Sequence, residues 1–337
     1  MPIAVQIGLC AKKTSTTTQC EAGLSRENLK EPKEQVICLG STMEAIERVR
    51  GSSNEFDEDW RKALSSSDSR YLIYPSRDSQ RQADLIEWIK AQQIEAILKE
   101  AHIHSGRVLE YGAGAAGISL YLAERGHDAH ICDLSPYALQ VAQRNQATHA
   151  NEVSLTSAIV ANTLQLPYAT NSFDVVMSYG LLEHFELASL HQLLDETIRV
   201  LRPGGLFVAD IVPGPERFNV RTLGMMVNYI ASAGMHLLTG KWHQLPSLYQ
   251  QYFEHYYESS YDSQRWTQIL NEHDIEQVKV DVCRPFPPLA VSGLLENVYT
   301  NIMRRFLPFH QRFDGANNWF TTRWGWMYLA SARKQVA

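Results

Sequence analysis

Two hydrophobic periods share this chain. Leu85, Trp88, Ile89, Ile94, Ile97 and Leu98 recur three or four residues apart, so Ser79 to about Ala101 is predicted as a helix with one apolar stripe. After His104-Ser105-Gly106 the spacing changes. Short apolar runs at Arg107–Tyr111, Ala129–Cys132, Val153–Val160, Phe173–Ser178 and Gly205–Ile211 predict strands. Between them, 116–125, Pro136–His149 and Leu187–Leu201 predict helices, the last with Leu187, Leu190, Leu194, Ile198 and Leu201 on one face. Strands alternating with helices of this length are βαβ units, whose crossovers are almost always right-handed. Further on, Tyr261–Glu272 predicts a helix, and Ile275–Cys283 and Trp324–Ala332 predict two more strands. The expectation is an α/β fold: a doubly wound, mostly parallel, seven-stranded sheet.

The same pattern divides the chain. Residues 1–60 read as poorly ordered or weakly structured, with a break at Gly51-Ser52-Ser53-Asn54, and 61–104 as a helical extension. The sheet core occupies 105–213. A helical lid insertion follows at 214–260, and 261–337 returns to the core around a second, Pro- and aromatic-rich insertion at about 285–320.

Composition narrows the class. Of 337 residues 45% are hydrophobic and 20% charged, the balance of a globular protein. The net charge of −6, with no basic run longer than two residues, disfavours a nucleic-acid partner. Five scattered cysteines without a CxxC or metal spacing suggest reduced thiols and a cytoplasmic setting. The 19 uncharged residues between Arg221 and Lys241 carry Asn228, Ser232, His236 and three glycines, too polar for a spanning helix. They read as a buried or lid helix, with peripheral membrane contact through the lid left open.

The strongest local signal is Val108-Leu109-Glu110-Tyr111-Gly112-Ala113-Gly114-Ala115-Ala116-Gly117, an apolar strand running into a glycine turn that opens a helix. Such turns let a ligand approach the backbone at the carboxyl ends of parallel strands. Gly112, Gly114 and Gly117 fit the dinucleotide pattern G-x-G-x-x-G, which alone does not separate nicotinamide, flavin and S-adenosylmethionine (SAM). Asp133 ends the second strand, where its carboxylate could accept from both ribose hydroxyls of an adenosine cofactor. Ser135 before Pro136 is the natural helix cap.

With these residues the chain resembles the class I, Rossmann-like SAM-dependent methyltransferases, particularly the small-molecule branch that includes ubiquinone- and menaquinone-pathway enzymes. Four ordered segments carry the resemblance: Leu109–Gly114, Cys132-Asp133-Leu134-Ser135, Leu166-Pro167-Tyr168 with Ser172-Phe173-Asp174-Val175-Val176, and Val200-Leu201-Arg202-Pro203-Gly204-Gly205. The resemblance implies SAM as cofactor. It implies that Glu110 orients the turn and the methionine amino end, that Gly112, Ala113 and Gly114 pass beside the methionine, and that Asp133 holds the ribose with Leu134 on the adenine. Asn162 stands where the family usually has Asp, and is expected to accept from the adenine amino group through its carbonyl oxygen, with a backbone N–H from Thr163 alongside. Tyr179, in Ser178-Tyr179-Gly180-Leu181-Leu182-Glu183-His184-Phe185, should border the sulfonium, and His184 is the candidate general base. Relatives with Glu-x-x-Glu-His here bind a metal; Gly180 replaces the first Glu, so none is expected.

The expected reaction is methyl transfer to a small, fairly apolar acceptor, with oxygen first and carbon of a quinone-like ring or lipid second. The insertions, rich in Met, Tyr and Trp, should shape its pocket. Tyr71 and Tyr74 are placed to fold over the cofactor. Rival readings are an NAD(P)-dependent oxidoreductase on the same turn and a non-catalytic scaffold. Oligomeric state is not legible.

Overall fold

The computed structural model describes residues 57–65, 71–150, 152–212, 220–253, 259–283, 289, 293–311 and 327–336. Its strands are β1 (Arg107–Tyr111), β2 (Asp128–Asp133), β3 (Ser157–Val160), β4 (Phe173–Tyr179), β5 (Leu201–Ile211), β6 (Ile275–Cys283) and β7 (Met327–Lys334). They form one sheet in the order β3-β2-β1-β4-β5-β7-β6. β1 to β5 pair in parallel, and β7 runs antiparallel to both β5 and β6. The helices are α1 (57–65), α2 (Gln82–Glu100), α3 (Gly117–Ala123), α4 (Pro136–His149), α5 (Leu187–Val200), α6 (Val220–Leu238), α7 (Leu245–Phe253), α8 (Ser263–Asn271) and α9 (Leu294–Gln311). The doubly wound, mostly parallel seven-stranded sheet with helical insertions is therefore present.

Local chemistry explains the boundaries. Ser135 caps α4 by accepting from the Ala138 N–H at 3.4 Å, with Pro136 in the first turn. Asp262 caps α8 by accepting from the Arg265 N–H at 2.8 Å. Each face of the sheet has its own core. Leu190, Leu194 and Ile198 of α5 and Trp266, Ile269 and Leu270 of α8 pack with Phe173, Phe207 and Tyr328 on one face. Ile94 and Leu98 of α2, with Ile118 and Leu122 of α3, pack with Val108, Val175 and Val208 on the other. Each such side chain contributes about 1.5–3 kcal/mol on burial. Cys132 is wholly buried in β2.

Some boundaries differ from the sequence reading. β5 begins at Leu201, not Gly205: Phe173 pairs with Leu201 and Val175 already with Leu206, so Arg202-Pro203-Gly204-Gly205 loops out as a bulge. β3 begins at Ser157, because its first rung pairs with His130. The second insertion contains α9, whose Met303 and Leu307 pack on Leu85, Ile86 and Ile89 of α2. The first turn of α1 falls within the stretch read as weakly structured; 1–56 lie outside the described residues, as do Phe286, Trp319, Phe320, Trp324 and Trp326. No helix among the described residues is long and apolar enough to cross a membrane.

Candidate functional site

The centre of the site is the turn between β1 and α3. Gly112 and Gly114 sit at φ +63° and +50°, where a side chain is strained, and Ala116 accepts the same left-handed geometry at φ +55° to start α3. Space is limiting as well. A Cβ on Gly112 would come within 2.6 Å of Leu181, and one on Gly114 within 2.8 Å of the Trp60 ring. Leu181 follows β4 and Trp60 belongs to α1, so two distant segments close over the turn. Below it Glu110 is buried and accepts from the Ser119 hydroxyl at 2.5 Å and the Ser119 N–H at 3.2 Å. Loss of hydration pushes its carboxyl up to about 7, against the hydrogen bonds from Ser119 and the charge of Lys90.

Asp133, at the tip of β2, is tied to the turn. One oxygen accepts from the Gly114 N–H at 3.0 Å and the other from the Ser135 N–H at 2.9 Å. A carboxylate offers about four acceptor positions, so capacity remains for a diol. Burial raises its pKa, opposed by the backbone N–H groups of Gly114, Ser135 and Leu134. Ala113 donates to the Cys132 carbonyl at 3.3 Å and Ala161 to the Asp133 carbonyl at 2.9 Å, which brings the segment after β3 to the same edge. There Asn162 and Thr163 are buried and Leu134 half-buried. The Asn162 oxygen accepts from the Leu164 N–H at 2.9 Å, and its buried Nδ2 has no hydrogen-bond partner among the described residues. The Nδ2 is a donor suited to a ring nitrogen, and the oxygen keeps a second lone pair with which it can accept from an amine.

These residues coincide with a known family. Residues 109–209 match the family described as a methyltransferase domain. The core of this chain is a class I methyltransferase domain. The cofactor of that class is SAM. Over 101 residues it is 39% identical to an uncharacterized protein of Mycobacterium tuberculosis, covering 29% of this chain and 34% of that one. It is 28% identical to the ubiquinone/menaquinone biosynthesis C-methyltransferase UbiE of Cereibacter sphaeroides, over 37% of this chain and 54% of the relative. It is 31% identical to the tRNA 5-carboxymethoxyuridine methyltransferase of Escherichia coli, over 41% and 50%. The chain thus spans about a third to just over half the length of these curated relatives.

At the mouth of the methyltransferase domain, Tyr179 ends β4. Its ring lies 4.6 Å from Lys90 Nζ, and its buried hydroxyl has no hydrogen-bond partner among the described residues. Burial first, then the nearby Glu110 and Asp210 carboxylates, hold the phenol well above its ordinary range, so it is a neutral donor. His184 lies half-exposed in the 3-10 turn Leu182–His184, and the preceding Leu181 joins that turn to Gly112. Glu183 is buried, and its Oε1 accepts from the Val212 N–H at 3.2 Å.

The sequence reading missed several residues of the methyltransferase domain's surroundings. Asp57 of α1 accepts from the Ser135 hydroxyl at 2.5 Å, and Trp60 stands over Gly114. Lys90 of α2 pairs with Asp210 at 2.8 Å. The only signals were a tryptophan in the charged run 57–62 and a lysine inside the apolar stripe of α2. Of the two tyrosines expected over the cofactor, Tyr71 has its ring 6.4 Å from that of Trp60. Tyr74 points elsewhere: its hydroxyl donates to Glu124 and its ring stacks on His149, 5.5 Å away.

Proposed function

We propose that the protein is a SAM-dependent methyltransferase that methylates a small, fairly apolar acceptor, with oxygen as the target atom. The observation that carries the cofactor part is the Asp133–Gly114 contact: an acid at the tip of β2 hydrogen-bonded to a left-handed glycine at the tip of β1. The residues fit the cofactor. Asp133 would hold the ribose hydroxyls, the Asn162 Nδ2 and the Thr163 N–H would meet the adenine, and Leu134 would flank it. Glu110 and the Tyr179 hydroxyl would face the methionine end, beside Gly112, Ala113 and Gly114. The sulfonium supplies its own leaving group, so the protein's task is placement and exclusion of water. Leu181 and Trp60 close the turn, and His184 takes the acceptor proton.

The acceptor class rests on charge and on similarity. The net charge of −6 weighs against a polynucleotide, although one relative is named as a tRNA methyltransferase. Similarity to a UbiE C-methyltransferase favours carbon of a quinone-like ring as the second reading. Calorimetry with S-adenosylhomocysteine, then transfer of labelled methyl to phenols, quinols and total tRNA, tests both parts. Absence of binding removes the cofactor assignment; label on tRNA alone removes the small acceptor. His184→Gln should slow transfer at least about 10²-fold with cofactor affinity unchanged. An unchanged rate takes His184 out of the chemistry.

A further inference from the structure

Helix α6 is inside out. Leu223, Met226, Val227, Ile230, Leu237 and Leu238 fall on one face at helical spacing, and that face is exposed: Ile230 by 65% and Leu238 by 85%. The opposite face carries Met225, Asn228, Tyr229, Ser232 and His236, all half-buried. These inward groups are engaged. His236 Nδ1 donates to the Ser232 carbonyl at 2.8 Å, and the Tyr229 ring meets that of Tyr249 on α7 edge-on at 6.0 Å. Asn228 and Ser232 have partners too. A helix covered only by water would turn its apolar face inward.

Charge identifies what covers it. No Asp or Glu occurs between Glu216 and Glu254, although the chain has 37 of them in 337 residues. The same stretch holds Arg217, Arg221 and Lys241, with His236 and His243. Exposed Trp242 follows Lys241 at the end of the helix, the pairing that sits well at a lipid headgroup layer. A second copy is the weaker occupant. From Leu223 to Trp242 eight large apolar side chains are exposed, against about 20–30 residues a side in a stable protein interface. Two copies paired on this face would also set two cationic, acid-free stretches against each other.

We propose that α6 lies in the headgroup layer of an anionic membrane, its Leu223–Leu238 face among the acyl chains and Lys241 just beyond its end among the phosphates. At 19 residues and no charge between Arg221 and Lys241, the helix suits lying in the surface and not crossing it. The docking goes beyond methyl transfer and does not need it.

The test is flotation of the full-length protein with vesicles of phosphatidylcholine alone or mixed with phosphatidylglycerol, at low and high salt. Partitioning should be about tenfold or more stronger on the anionic vesicles at low salt and should fall with salt. Ile230→Asp and Leu238→Ser, both at exposed positions, should each lose binding while melting temperature and S-adenosylhomocysteine affinity stay at wild-type values. Two positions keep the test open should one variant misfold. Failure to float with any vesicle, or equal binding to both compositions, would overturn the proposal. So would a dimer by light scattering that Ile230→Asp dissolves in the absence of vesicle binding.

Discussion

Lys90 Nζ lies 2.8 Å from Asp210 Oδ2, and both side chains are buried. The pair joins α2, outside the matched domain, to the end of β5. The other Asp210 oxygen accepts from the Gly180 N–H at 2.5 Å, so the pair also fixes the turn that leads to Glu183 and His184. Lys90→Met should cost about 3–5 kcal/mol by leaving Asp210 buried without its cation. Asp210→Asn should cost less, about 1–3 kcal/mol, since an amide oxygen can still accept from Gly180 and Lys90 keeps Glu87 at 3.2 Å. The double variant should be more stable than the sum of the two losses predicts. Urea melts measure this, and strict additivity would show that the two do not act as a unit.

Glu110 makes stability depend on pH in an unusual direction. Its carboxyl titrates near 4.5 when hydrated and at about 7 in the fold, where desolvation favours the neutral form. Between those values the native state holds the extra proton. The contribution is therefore fully present below 4.5 and lost as pH rises through about 7. The shift corresponds to about 3 kcal/mol at most. Denaturant melts of wild type and Glu110→Gln from about pH 5 to about pH 8 should converge at low pH, wild type losing stability relative to the variant above it. A parallel course would show that Glu110 is hydrated.

The same group predicts proton release. If Glu110 meets the methionine ammonium, binding favours its ionised form, so S-adenosylhomocysteine should expel close to one proton per site when bound below about pH 7. Calorimetry in buffers of different ionisation enthalpy reads this directly, and Glu110→Gln should abolish it. Buffer-independent heats would mean that the ligand stays away from this carboxyl.

Asp133→Ala removes the acceptor that faces the proposed ribose. Two charged hydrogen bonds, each worth about 1.5–3 kcal/mol, imply at least about 10²-fold weaker S-adenosylhomocysteine binding. The Gly114 and Ser135 N–H groups also lose their acceptor, so the unliganded protein should melt earlier. Calorimetry beside a thermal melt separates the two effects. Unaltered affinity would place the diol elsewhere.

Gly114→Ala tests the closure by α1. The new methyl meets the Trp60 ring at 2.8 Å, and φ +50° adds about 1–2 kcal/mol of backbone strain. Trp60→Ala in the same chain should relieve the clash and leave the strain. Chemical denaturation of both variants would show partial recovery; none at all would place Trp60 away from the turn.

The sheet was legible because its signals are local. Buried parallel strands such as β1 read as short apolar runs, and Ser135-Pro136 announces α4 by its own chemistry. The glycine turn, Glu110 and Asp133 were legible for the same reason: tips of adjacent parallel strands must meet. Residues brought in from outside the alternation were not. The contacts of Trp60 with Gly114, of Asp57 with Ser135 and of Lys90 with Asp210 join segments far apart in the chain, and no local periodicity encodes them. Asn162 was half legible. Its place follows from β3, but the bond from the Leu164 N–H that turns its amide, and so leaves Nδ2 as the unengaged donor, is not visible in any periodicity.

The position of β7 has a consequence for biosynthesis. β5 and β6 do not touch each other in the sheet; β7 is wedged between them, pairing Leu206 with Arg333 and Ile275 with Lys334. While the ribosome is still translating the residues after Cys283, β6 has no neighbour and β5 shows a bare apolar edge. Strands of such wide sequence separation close slowly, and an open edge recruits other chains. Until Met327–Lys334 is in place, the β5 edge is therefore open to pairing with a strand of another chain.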